Sequence, residues 1–202
     1  MDVFTEEDLA VVLPELQGAA RHNKLSRELR KGNLIRLRRG VYALGDSWQE
    51  KGLHPFAVAN RLYMPSYVSL ESALKHYDLI PERVAETSSV SRRASYTCSN
   101  VLGAFSYHWL PERLFRAGFV REVTQGHAYL IASPLKAFLD LCHLRDKGFV
   151  SLDEMVDDLR LDTGRFRELL REQSNQSILD LAEVYRSERL RKVIDVLLWE
   201  LR

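Results

Sequence analysis

An α+β fold is the class this sequence predicts, and three observations predict it. A basic helical stretch runs into a hairpin signal at residues 24–44, short β segments follow one another between 84 and 133, and helical periodicity governs what comes after 151. These patterns divide the chain into a small helix-and-hairpin unit at 1–46, a mixed α/β region at 47–150 and a helical region at 151–202.

In the first unit Thr5 precedes "EEDLAVVL" with Asp8 three residues on, the spacing of a capping box with acids in the first turn. Pro14 ends or restarts that helix. "ELQGAARHN" predicts a second helical segment and "KLSRELRK" a third, with Leu25 and Leu29 one turn apart. Gly32 suits the position just past a helix, where left-handed backbone is usual. "NLIRL", "RRG" and "VYAL" then read as strand, tight turn and strand, with Gly40 supplying positive φ. Three helices followed by a hairpin predict a winged helix-turn-helix.

In the second region "HPFAVANRLY" and "SLESALKHYDLI" predict helices; in the latter Leu70, Ala73, Leu74 and Tyr77 share a face and Ser69 can cap. "AETSSV", "ASYTCS", "GAFSYHWL", "FVREV" and "AYLIAS" predict strands. "SPLKAFLDLCHLR" returns to helix, with Ser133 as cap, Pro134 at the first position, and Leu135, Leu139 and Cys142 on one face. The third region opens on a capping box, Ser151 to Glu154, with Leu152, Met155, Val156 and Leu159 as its inward stripe. Phe166, Leu169 and Leu170 mark a second short helix. A last helix is expected from Gln176 to Leu201, carrying Leu190, Val193, Ile194, Leu197 and Leu201. The expected whole is an N-terminal winged helix-turn-helix, a mixed α/β domain and a C-terminal helical bundle.

Charge sharpens the first unit. The chain's net charge is +1, so any signal for an anionic partner must be local. From Arg21 to Arg39 there are eight basic residues and one acid, Glu28, a net of +7 in 19 residues. A solvated helix ordinarily interleaves signs. Here Lys24, Arg27 and Lys31 lie opposite Leu25 and Leu29, where like charges favour an anionic partner. In a winged helix the third helix enters the major groove and the hairpin tip lies along the phosphates. The candidate DNA contacts are therefore Arg21, His22, Asn23, Lys24, Ser26, Arg27, Arg30 and Lys31 on the helix, and Arg36, Arg38 and Arg39 on the wing. His22, Asn23, Ser26 and Arg27 are the ones able to read base edges. The competing expectation is a helical module docked on another protein, its arginines merely solvated. A second helix-turn-helix-like stretch, 151–172, carries seven acids and four bases; phosphate would repel it, and it reads as a packing or protein-contact element.

Four blocks, "GNLIRLRRGVYAL", "YVSLESALKHYDLIPE", "GAFSYHWLPERLF" and "YLIASPLKAFLDLCHL", resemble in their order the AbiEi antitoxins of AbiE-type, type IV toxin–antitoxin systems. The resemblance runs from about residue 3 to about residue 145. It implies a winged helix that binds inverted repeats in double-stranded promoter DNA and represses its own operon. It also implies a C-terminal part that counters a nucleotidyltransferase-like toxin without needing a stable complex with it. Inverted repeats require two protomers, paired before or upon binding DNA. The family's basic winged-helix contacts fall here on Lys24, Arg27, Lys31, Arg36, Arg38 and Arg39. One departure is Leu135, where the family usually has an acid before the lysine. Two alternatives stay open: an antitoxin that grips its toxin directly, motivated by the apolar "VIDVLLWEL" with Trp199, and a stand-alone regulator.

No catalytic pattern stands out. The six histidines show no paired metal-ligand spacing, Cys98 and Cys142 make no CxxC, and no phosphate-cradling glycine loop occurs. Asp140, His143 and Asp146 read as helix-end hydrogen-bonding groups, and Glu71 and Glu82 as surface carboxylates. No enzyme activity, metal or cofactor is expected. The two cysteines read as reduced thiols, Cys142 in the core. "MDVFTEEDLA" lacks a secretory pattern and no apolar run is long enough to span a membrane, so the expected location is the cytoplasm.

Overall fold

The computed structural model describes residues 2–81, 84–145, 152–188, 190–192 and 194–195. It is an α+β structure with two sheets. The N-terminal unit begins with β1 (Val3–Thr5), α1 (Glu6–Val12) and α2 (Gly18–Arg30), and closes with the hairpin β2 (Leu34–Arg38) and β3 (Val41–Leu44). The hairpin pairs antiparallel and β1 adds antiparallel to its other side, giving the order β1-β3-β2. Thr5 and Asp8 form the expected capping box: the Thr5 hydroxyl accepts from Asp8 N–H and the Asp8 carboxylate accepts from Thr5 N–H. Gly32 and Gly40 both take positive φ, as the end of α2 and the hairpin turn require.

The helix count differs from expectation. "ELQGAARHN" and "KLSRELRK" are not two helices; from Gly18 onward they run as the single helix α2, because nothing between Gly18 and Lys31 breaks it. The segment before α1, expected only to supply a cap, instead adds a third strand to the hairpin.

The central part contains α3 (Pro55–Leu62), β4 (Ser66–Val68), α4 (Leu70–His76), β5 (Glu86–Ser91), β6 (Tyr96–Asn100), β7 (Gly103–Trp109), α5 (Glu112–Phe115), β8 (Phe119–Thr124), β9 (His127–Ala132) and α6 (Pro134–Leu144). All five expected strands form, and an unexpected β4 joins them in a mixed six-stranded sheet of order β6-β7-β5-β4-β9-β8. Side chains alternate between its faces. Tyr107 reaches one face, where its hydroxyl donates to Ala59 O of α3 at 2.8 Å. Tyr67 reaches the other, towards Asp140 of α6. The sheet's β4–β9 pairing is brief, and Asn60 of α3 takes over where it ends: its amide accepts from Leu130 N–H and donates to Leu130 C=O. The helices α7 (Leu152–Leu159), α8 (Thr163–Arg171) and α9 (Asn175–Tyr185) follow. The last of these ends at Tyr185, where Arg186 adopts the left-handed conformation, so the expected unbroken helix from Gln176 to Leu201 does not form. The Ser151–Glu154 capping box, Val193 and the segment 196–202 lie outside the described residues, as do Glu82 and Asp146.

Buried apolar side chains from all three regions, from Val3 and Leu37 through Val58 and Phe138 to Phe166 and Ile194, form one cluster. Among the described residues no helix is long and apolar enough to cross a membrane.

Inside that cluster sits an ion pair. Lys136 and Asp140, one turn apart on α6, are wholly buried, 2.7 Å apart. The Lys136 ammonium also donates to Leu114 C=O at 2.8 Å and to the Tyr185 hydroxyl at 2.6 Å, which uses its three protons. Asp140 accepts further bonds from Tyr185, from Ser69 at 2.8 Å and from Tyr67 at 3.3 Å. Burial pushes the ammonium's pKa down while Asp140 pulls it back up. Burial, then the Asp140 charge, pushes the Tyr67 and Tyr185 phenols far up, so both stay protonated donors. One expectation is corrected here, since Asp140 is not a helix-end group but half of this pair; Ser69 stands at the N-cap position of α4 as expected, but its hydroxyl donates to Asp140 and makes no capping bond.

Removing one partner strands a charge in the core. Asp140→Ala should cost about 3–5 kcal/mol in urea unfolding, whereas Lys136→Met combined with Asp140→Leu should cost much less than the single change.

Candidate nucleic-acid interface

The geometry of the basic segment follows from how α2 meets the hairpin. Where β3 leaves the hairpin, Gly45 lies so close to α2 that a side-chain Cβ would stand 2.0 Å from Gly32 O, leaving room for glycine alone. The Gly45 N–H donates to Asn33 O at 2.8 Å, and the Asn33 side chain donates to Glu28 at 2.7 Å and accepts from the Trp48 indole at 3.2 Å. Helix and hairpin are thereby held in one register.

On α2, Leu25 is buried, Leu29 half-buried, and His22, Asn23, Lys24, Arg27, Arg30 and Lys31 are exposed. The expected like-charged face is not uncompensated. Lys24, Arg27 and Lys31 converge on Glu28 at 3.4, 3.5 and 3.9 Å. The Asn33 bond, with help from Lys31 and Lys24, holds the Glu28 carboxyl below the usual range. One carboxylate against three cations relieves the repulsion and still leaves a positive face. Arg21 is drawn away from that face: its Nε donates to Leu16 O at 2.8 Å and closes the turn at residues 13–17. Ser26 is half-buried.

On the hairpin, Arg36 and Arg39 are exposed, but Arg38 is half-buried. A bulge between Arg36 and Arg38 alters the pairing with β3. Next to it Asn100 of β6 donates to Leu37 O at 3.3 Å, and the Arg38 charge acts on Cys98 and Tyr107. Arg38 therefore lies against the central sheet, while Arg39 alone of the tip pair is exposed. Among the described residues Arg30, Arg36, Arg38 and Arg39 make no ion pair, in contrast to Lys24, Arg27 and Lys31.

A second polar constellation escaped the sequence. His54, His76 and His127, far apart in the chain, gather around Tyr129. The His54 ring stacks on Tyr129 at 4.9 Å and 5° between planes, lies 6.0 Å from His127, and accepts from Phe56 N–H to cap α3. His76 bonds Glu122 at 2.8 Å, and Glu122 also accepts from the hydroxyls of Tyr77 and Tyr129. Among the described residues no group of three or more His, Cys, Asp or Glu side chains could hold a metal ion. Burial, then the nearby His127 and His76, pushes the His54 pKa below its ordinary 6.5.

Comparison with known proteins finds no matching family model and no matching curated protein.

His54 is harder to protonate in the folded chain than in the unfolded one, so unfolding takes up protons as pH falls past about 6.5. Stability should drop below that pH, towards the depressed folded value. In His54→Asn, which keeps a helix cap and removes the titrating ring, urea midpoints measured from pH 7.5 to 5 should fall less steeply.

Proposed function

We propose that this chain is a DNA-binding transcriptional repressor acting as the antitoxin of an AbiE-like type IV toxin–antitoxin pair and regulating its own operon. The observation that carries the DNA half is the exposed set Arg30, Arg36 and Arg39, which make no ion pair among the described residues, next to the exposed helix positions His22, Asn23 and Arg27, on one unit of strand, two helices and hairpin. A three-stranded order β1-β3-β2 with two preceding helices suits a winged helix-turn-helix whose first helix is dispensed with. In this reading α2 lies in the major groove, Asn23 and Arg27 meet base edges, and Arg30, Arg36 and Arg39 neutralise phosphates. Glu28 would then act as an internal counter-charge that moderates non-specific affinity. The antitoxin half rests on the resemblance of the four blocks, and its functional partner would be a nucleotidyltransferase-like toxin. Inverted repeats would seat two protomers.

A second reading, contact with the toxin itself, is favoured by one surface. Val11 and Val12 of α1 are 82% and 72% exposed, beside an apolar groove of about 240 Å³ lined by Phe4, Leu9, Leu13 and Leu16.

With a duplex from the region upstream of the gene, anisotropy titrations should show affinity falling steeply between about 50 and about 200 mM salt. Arg30→Ala or Arg36→Ala should each reduce the slope of log K against log salt by about 1. Glu28→Gln should tighten binding at the low-salt end, with the gain shrinking as salt rises. A wild-type chain that binds no duplex at low salt contradicts the repressor reading. Growth rescue when the chain is co-expressed with the product of an adjacent toxin gene tests the antitoxin half; absence of rescue contradicts it.

A further inference from the structure

We infer that the free outer edge of β8 and the groove beside it bind an extended segment of a partner protein by strand addition, a segment with apolar side chains at alternate positions and basic ones between them. The inference does not depend on the DNA-binding reading, and it gives the central sheet a partner surface of its own.

β8 ends the six-stranded sheet, so one of its edges has no neighbouring strand. Which backbone groups face that edge follows from the ladder with β9. Opposed residues of an antiparallel pair alternate between those that exchange hydrogen bonds and those that do not. The Gly118 carbonyl accepts from Ser133 N–H at 2.8 Å, and steps of two residues carry the bonded set to Val120, Glu122 and Thr124. Leu130, opposite Arg121, belongs to the other set and turns its N–H and C=O to Asn60. Phe119, Arg121 and Val123 therefore point both backbone groups outwards. Among the described residues no backbone hydrogen bond meets them there. Open sheet edges are ordinarily guarded by proline, lysine or a covering element. β8 has neither residue, and its Val120 and Val123 are 44% and 59% exposed. The opposite edge strand, β6, is met by the hairpin through Asn100 and Leu37.

The space beside the edge suits one extended chain. A groove of about 650 Å³ lies between residues 117–120 and α9, whose Ser177, Leu181 and Val184 form one wall. Leu181 packs so close to Gly118 that an added Cβ would stand 2.9 Å from it, which closes the floor. The ionisable side chains of the lining are Glu172 and Asp180, both exposed, and they call for a basic segment. Main-chain bonds to Phe119, Arg121 and Val123 would set its register, while its apolar side chains meet Leu181 and Val184. A second copy fits less well. Two-fold pairing of β8 with itself about its middle sets Arg121 or Glu122 opposite its own copy, and like charges directly opposed destabilise a sheet.

The probe is a short fluorescein-labelled peptide of alternating valine and lysine, titrated by anisotropy onto the full chain. It should bind, and a peptide of alternating valine and glutamate should bind several-fold more weakly. Glu172→Lys combined with Asp180→Lys should reverse that preference. N-methylating all the valine amides, or all the lysine amides, should abolish binding in one case and spare it in the other, because alternate residues of a strand face opposite edges. Hydrogen exchange at the Phe119, Arg121 and Val123 amides should slow several-fold with the probe. Equal affinity of the two methylated peptides overturns strand addition, as does failure of the valine–lysine peptide to bind. An unchanged preference in the double variant overturns the basic partner. Protection of those three amides in the chain alone, rising with its concentration, also overturns the proposal, since a second copy then fills the edge.

Discussion

The fold depends on how the core accommodates a charge. Every residue of α6 from Leu135 to Cys142 is buried, Lys136 and Asp140 among them. An ion pair so placed is stable only if each proton and lone pair finds a partner. Satisfying them recruits Tyr67 from β4, Ser69 from the start of α4, Leu114 from α5 and Tyr185 from α9. The pair thus fixes what covers one face of the six-stranded sheet. The opposite face takes α3, and α3 shares its core with the N-terminal sheet through Val3, Leu37, Val41 and Ala43.

That sharing has a consequence for the basic surface. A hairpin hanging free in solvent would carry its arginines on a mobile arm. Here Leu37 is buried, its carbonyl is held by Asn100, and the hairpin exit is locked to α2 at Gly45 and Asn33. Positive charge is presented on a fixed frame, so ordering costs are small when a partner binds. The distribution is also uneven. Glu28 occupies Lys24, Arg27 and Lys31, whereas among the described residues Arg30, Arg36 and Arg39 make no ion pair. An anionic partner would gain most from the second set.

Much of this was legible in the sequence, for identifiable reasons. The Thr5–Asp8 box, the Pro134 start of α6, the glycine turns and the five longer strands are local signals, and local signals survive tertiary context. β1 and β4 were not legible because each is three residues long and borders a helix cap. The buried pair was half-legible: Lys136 and Asp140 stand at i and i+4 in a run, Leu135 to Cys142, that is otherwise apolar on all sides, and such a run has no solvent face to put them on. The histidine cluster around Tyr129 and the arginines Arg61 and Arg93 were not legible. They are single residues of unremarkable segments, and only the tertiary fold brings them beside their partners. Arg38 misled for a related reason, since a bulge rather than residue type decides which way it faces.

Amide hydrogen exchange of the full chain, with and without an upstream duplex in molar excess, locates the surface that meets DNA. Duplex should add protection at residues 21–31 and 36–40, with none at 163–185. Protection confined to 163–185, or none anywhere while the duplex remains free, would contradict the DNA-binding reading.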